Sequence, residues 1–85
     1  MHLHRSREEI LEKIKEVATF VTQDGRFSSI SLDTSIADMR LDDFDYIEVV
    51  MRLEDGLLVT IDEKKVLPQT KLSDFISLME PVAIT

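Results

Sequence analysis

The densest run of side chains able to do chemistry is Asp42-Asp43-Phe44-Asp45, continued by Glu48, Arg52, Glu54 and Asp55. Three carboxylates this close could in principle hold a divalent cation. The run lacks the glycine and the closing glutamate of a calcium loop, so no metal is expected there. His2 and His4 are the only histidines. An i, i+2 pair with no third ligand is a weak metal site, and none is expected at it. The absence of cysteine excludes a disulfide framework and a thiolate metal centre. No nucleophile, base and orienting group stand in a catalytic pattern, so an enzyme is not expected. Tyr46, the lone tyrosine, reads as packing at a helix edge.

The carboxylate run sits where a helix should start. Acids crowd its first turn, where the helix dipole favours negative charge. The spacing predicts a helix from Asp42 or Asp43 to Gly56, with Gly56 as its stop. Phe44, Ile47, Val50, Met51 and Leu53 are assigned to an inward stripe. Asp45, Glu48, Arg52 and Asp55 fall largely on the other side.

Upstream, Ser6-Arg7-Glu8-Glu9 has the form of a capping box. Ile10, Leu11, Ile14, Val17, Ala18 and Val21 follow at helical spacings. A first helix is predicted over 7–23, stopped by Gly25. Residues 25–41 form a long connection, with Ile30, Leu32, Ile36, Met39 and Leu41 seeking cover. A loop this long is pinned or functional in a compact domain. Asp33-Thr34-Ser35 reads as a turn.

Downstream, Leu57-Leu58-Val59-Thr60-Ile61 has strand composition but no visible partner, so it is assigned to extended loop. Asp62 to Leu67 is predicted as one or two helical turns, capped by Asp62 and stopped before Pro68. A last helix is capped by Thr70 or Ser73, buries Leu72, Phe75, Ile76 and Met79, and ends at Pro81. The tail from Val82 to Thr85 is expected to fray. The fold class is therefore all-α: three main helices, one short third helix and a long loop between helices 1 and 2.

The chain has 85 residues, which implies a single domain with its core over about 6–80 and mobile ends. No apolar run approaches the roughly 20 residues that span a bilayer. The start lacks the apolar core of a signal peptide. A cytoplasmic, monomeric protein is expected. Residues 1–41 carry six Lys/Arg against seven Asp/Glu, and residues 42–85 carry four against ten. The acidic second half argues against nucleic acid and anionic membranes. It favours partners with basic patches.

Four phrases, in order and at matching spacings, resemble the acyl carrier protein family over roughly 6–80. Thr34-Ser35-Ile36-Ala37-Asp38-Met39-Arg40-Leu41-Asp42-Asp43-Phe44-Asp45 lies where the family has a phrase like Asp-Leu-Gly-Leu-Asp-Ser-Leu-Asp and resembles it. Glu48-Val49-Val50-Met51-Arg52-Leu53-Glu54 resembles its Glu-Leu-Val-Met-Ala-Leu-Glu continuation. Ile61-Asp62-Glu63 is similar to the Ile-Pro-Asp that opens the short third helix. Thr70-Lys71-Leu72-Ser73-Asp74-Phe75-Ile76 is similar to the Thr-Val-Gly-Asp-Leu-Val that opens the fourth.

The resemblance implies a four-helix bundle that docks on basic patches of acyl-transfer, synthase or phosphopantetheinyl-transferase-type enzymes. Asp42, Asp45, Glu48, Arg52, Glu54 and Asp55 would form the docking face. It further implies an interior, lined by Ile14, Phe20, Ile36, Phe44, Ile47, Val50, Met51, Ile61, Val66 and Phe75, that opens for an acyl chain in the family. Without an attached chain, a packed core is expected here. Arg40 replaces a glycine, Phe44 a leucine and Asp43 the serine that carries 4'-phosphopantetheine. Attachment needs a hydroxyl to form a stable phosphodiester. A carboxylate would form an acyl phosphate, which water cleaves. No cofactor is therefore expected at Asp43. Ser28, Ser29, Ser31 and Ser35 lack the Asp-Ser-Leu setting and are not expected to substitute. Asp43 itself is sufficient as a helix cap. Three functions stay open: a non-carrying docking module, a carrier whose serine has been replaced, and a regulatory protein reusing the fold.

Overall fold

The structure is a computed structural model and describes residues 5–82. His2 and His4 lie outside the described residues, as does the tail beyond Val82.

Helix α1 (Arg7–Thr22) starts at the capping box. The Glu9 amide donates to Ser6 Oγ at 3.1 Å, and the Ser6 amide donates to Glu9 Oε1 at 3.0 Å. Ile10, Leu11, Ile14, Val17 and Ala18 are buried along one face. The predicted stop is displaced. Gln23, with φ 57°, supplies the left-handed turn, and Gly25 has no positive φ. Gly25 instead opens a 3-10 turn, Gly25–Ser29, capped by the Asp24 carboxylate on the Arg26 amide at 2.9 Å. This turn delivers Phe27 to the core with no exposed surface.

The long connection is pinned, as expected. A second 3-10 turn, Ala37–Met39, buries Met39. The Ile36 and Ala37 amides donate to the carbonyls of Thr70 and Pro68 at 2.8 and 2.9 Å. In return, the Leu72 and Ser73 amides donate to Thr34 and Leu32 at 2.8 and 3.0 Å. Arg26 Nη2 reaches the Met39 and Arg40 carbonyls at 2.9 and 3.1 Å. A guanidinium on two carbonyls satisfies backbone acceptors that no helix or sheet claims.

Helix α2 (Asp43–Leu57) packs chiefly on α1 and buries Val49, Val50, Leu53 and Leu57. Val50 and Leu53 face inward as assigned, but the other three residues of the predicted stripe do not. Phe44, Ile47 and Met51 are exposed at 85, 49 and 61%. Gly56 lies inside the helix, where the stem of Lys13 passes within 3.4 Å of a position that a Cβ would take. Leu58, φ 56°, makes the left-handed C-cap.

Two short strands follow, so the protein is mainly helical rather than free of β structure. Strand β1 (Val59–Ile61) pairs antiparallel with β2 (Met79–Pro81), with Thr60 opposite Glu80. The expected last helix is only Leu72–Ser77, here α3. Its cap residue is Lys71 rather than Thr70 or Ser73, and it makes no side-chain cap bond. Pro81 thus ends a strand, not a helix. Val82, assigned to a fraying tail, donates its amide to Leu58 at 3.0 Å. The predicted third helix is one 3-10 turn, Glu63–Lys65, with Asp62 accepting from the Lys64 amide at 3.1 Å.

Both free edges of this small sheet are blunted. The Leu58–Val82 bond fixes the alternation, so Val59 and Ile61 turn their amides away from β2. The Glu54 carboxylate accepts from the Ile61 amide at 3.0 Å. Pro81, on β2, has no amide to offer. Arg7 ties α1 to α3, donating to the Ser73 carbonyl and Ser77 Oγ at 2.6 Å each. Among the described residues the core buries no polar side chain, and no buried side-chain polar atom lacks a partner.

Candidate functional site

The carboxylate run forms the N-terminus and outer face of α2. Asp42 is the cap: its side chain accepts from the Asp45 amide at 2.8 Å, and its carbonyl accepts from the Tyr46 amide at 2.8 Å. This corrects the assignment of a capping role to Asp43. Asp43 is instead the first helical residue and is exposed, while Asp45 is half-buried in the first turn. Just before the cap, Arg40 adopts φ 52°. A left-handed turn here reverses the chain from Met39 in the core to the mouth of α2.

Along the outer face, Glu48 and Arg52 pair at 2.8 Å, one turn apart. The Arg52 guanidinium also lies 4.7 Å from the ring centre of Phe20 on α1. Phe20 is 58% exposed and so is not part of the interior to which it was assigned. Asp55 is exposed. Glu54 is not a free docking group, because its carboxylate is held on the Ile61 amide.

These side chains frame an open groove lined by Phe44, Ile47, Met51, Glu48, Arg52, Glu54, Asp55, Val59, Thr60 and Val82. Of the expected docking residues, the structure gathers Glu48, Arg52, Glu54 and Asp55 there. Asp42, Asp43 and Asp45 stay together at the helix mouth. The apolar floor was missed because Phe44, Ile47 and Met51 were assigned inward. A signal existed. Val50 and Leu53 form a helical series with Tyr46, Val49 and Leu57, which leaves Phe44, Ile47 and Met51 off the buried face.

The interior beneath α2 is lined by Ile14, Ile36, Met39, Leu41, Tyr46 and neighbouring side chains, and holds a void of about 10 Å³. That is roughly one water's worth of space. The interior is packed, as expected, although Phe44, Ile47 and Met51 are not in it. Burial pushes the Tyr46 phenol up from its ordinary range, and the nearby Glu63 charge adds to the shift.

Three of the four connecting-loop serines bond the backbone through their side chains, and Ser28 is exposed. Ser29 Oγ donates to the Arg26 carbonyl at 3.0 Å, Ser31 Oγ accepts from the Asp33 amide at 3.2 Å, and Ser35 Oγ accepts from the Asp38 amide at 3.1 Å. Among the described residues, no group of three or more His, Asp or Glu side chains is placed to hold a metal. Nor is any helix there long and apolar enough to cross a membrane.

The fold and site define a small, mainly helical domain whose most acidic helix turns an apolar stripe outward. Compared with known proteins, the chain matches no family model, no curated protein and no solved structure.

Proposed function

We propose that this protein is a non-carrying, acyl-carrier-like module of fatty-acid or polyketide-type metabolism. It docks through α2 on basic patches of acyl-transfer, synthase or phosphopantetheinyl-transferase-type enzymes. In this reading the four-helix bundle consists of α1, α2, the turn Glu63–Lys65 and α3, with the strand pair added at one end.

The observation that carries the reading is the turn into α2. Arg40 stands where the resembled phrase has glycine, and its backbone takes the left-handed conformation that glycine adopts without strain. Three residues later, Asp43 is exposed at the first position of the helix, where the phrase has its modified serine. The residue present does not fit the prosthetic group. Its carboxylate provides no hydroxyl for a lasting phosphodiester. The docking role is supported by charge: α2 holds five carboxylates against Arg52 alone, and its cap Asp42 adds a sixth.

The test is to incubate the chain and its Asp43→Ser variant with a phosphopantetheinyl transferase and coenzyme A, then weigh both. The serine variant alone should gain the prosthetic mass. If neither gains it, the carrier-like reading fails. If the unaltered chain gains it, the argument about the carboxylate fails.

A further inference from the structure

Sulfur is placed unevenly between surface and core. The chain has no cysteine and four methionines, so thioethers are its only sulfur groups open to oxidation. Met39 and Met79 are 3 and 6% exposed, whereas Met51 is 61% exposed. Met1 lies outside the described residues.

Helix α2 sets Met51 in the middle of its outward face. Ile47 precedes it by four residues and Phe44 by seven, at helical spacing. Val82 and Thr60 line the same open groove. A small oxidant reaches the sulfur from that groove. Met39 instead lines the interior void of about 10 Å³. One water fills such a space, and hydrogen peroxide, with two oxygens, does not fit.

The consequences for the fold differ as sharply as the access. A sulfoxide on Met39 or Met79 would bury a polar S–O group among apolar side chains, which is costly. On Met51 the same group stays hydrated. Helix α2 keeps its hold on the core through Val49, Val50, Leu53 and Leu57. What changes is the groove, where a flexible apolar side chain becomes a polar one. The exposure that admits an oxidant also admits a reducing enzyme, so the change can be undone without unfolding.

We propose that Met51 is a reversible oxidation site. Hydrogen peroxide transfers one oxygen to Sδ: the O–O bond breaks, the S–O bond forms, and the remaining oxygen leaves as water. The thioether is oxidised by two electrons and the peroxide is reduced by two. A methionine sulfoxide reductase returns the thioether, with the oxygen leaving as water and two thiols joining as a disulfide. The site goes beyond the proposed docking role of α2. It requires no partner and no modification at position 43, so it stands or falls apart from that reading.

The full chain is treated with hydrogen peroxide over a time course, digested, and each methionine weighed. Met51 should gain one oxygen at least about tenfold faster than Met39 and Met79, which react only as the core opens. The oxidised chain should keep its circular dichroism spectrum and elute earlier from a phenyl column. Met51→Leu, which conserves volume, should lack that part of the elution change and so separates it from any effect of Met1. Reductases for the two sulfoxide epimers should restore Met51 in the folded chain.

Equal rates at Met39, Met51 and Met79 overturn the proposal. So does loss of the helical spectrum in chains oxidised at Met51, or the same elution change in Met51→Leu. A Met51 sulfoxide that the reductases repair only after urea unfolding also overturns it.

Discussion

Truncating Phe27 and truncating Phe44 should have opposite consequences, although both are single phenylalanines in an 85-residue chain. Phe27 is 0% exposed beneath a 3-10 turn, while Phe44 is 85% exposed on α2. Phe27→Ala removes a full aromatic volume from a packed core, which costs about 3–5 kcal/mol. At about 0.05–0.15 kcal/mol per residue, the whole domain has only about 4–13 kcal/mol of stability. The substitution therefore takes a third or more of the total at most values in that range, and the gentler Phe27→Leu serves where the alanine variant unfolds. Phe44 has only about a seventh of its surface covered. At about 3 kcal/mol for complete burial, its truncation forfeits about 0.4 kcal/mol. Alanine's higher helix propensity returns about 0.5 kcal/mol, so Phe44→Ala should be close to neutral. Urea titration followed by circular dichroism measures both, and equal slopes confirm that the midpoints compare stability alone. A loss above about 2 kcal/mol for Phe44→Ala would refute the orientation of α2. Phe27→Leu and Phe27→Ala both within about 0.5 kcal/mol of the unaltered chain would refute the core placement of the 3-10 turn.

Arg40 and Leu58 hold left-handed backbone with exposed side chains. Arg40→Gly and Leu58→Gly should each stabilise by about 0.5–1 kcal/mol, the strain relieved less the entropy glycine adds to the unfolded chain; a lowered urea midpoint in both would contradict the turn geometry. Acid stability should depend on two capping carboxylates. The Ser6 amide and then its hydroxyl lower the pKa of Glu9, and the Arg26 amide and then its guanidinium lower that of Asp24. A depressed folded pKa means their contribution is present above the ordinary carboxylate range and is lost as pH falls through the folded value. The gap in Tm between the unaltered chain and its Glu9→Gln, Asp24→Asn variant should accordingly be widest near neutral pH and close on acidification. A gap that is constant with pH would show that the charged forms are not what the caps hold.

Local features were legible because their partners lie within a few residues. The caps at Ser6 and Asp62 each act on an amide two or three positions ahead, so sequence alone located them. The apolar series of α1 faced one way only, and its buried side chains are the ones its spacing indicated. The pinning of the long loop followed from its apolar content. The acids of α2 were also evident, but not their separate uses. Asp42 caps, Glu54 guards a strand edge, and Glu48 pairs with Arg52.

The sequence by itself determined that helices form and roughly where they begin, because hydrogen bonds and side-chain spacing within a few residues suffice for that. Only the tertiary structure decided which apolar side chains of α2 enter the core, keeping Val50 and Leu53 and turning out Phe44, Ile47 and Met51. A helix can rotate about its axis without changing its period, and contact with α1 selects the rotation. Likewise, β1 is a strand only because the chain returns through α3 and lays Met79–Pro81 beside it. A ladder bond joins residues some twenty positions apart, and neither segment carries that partnership in its own composition.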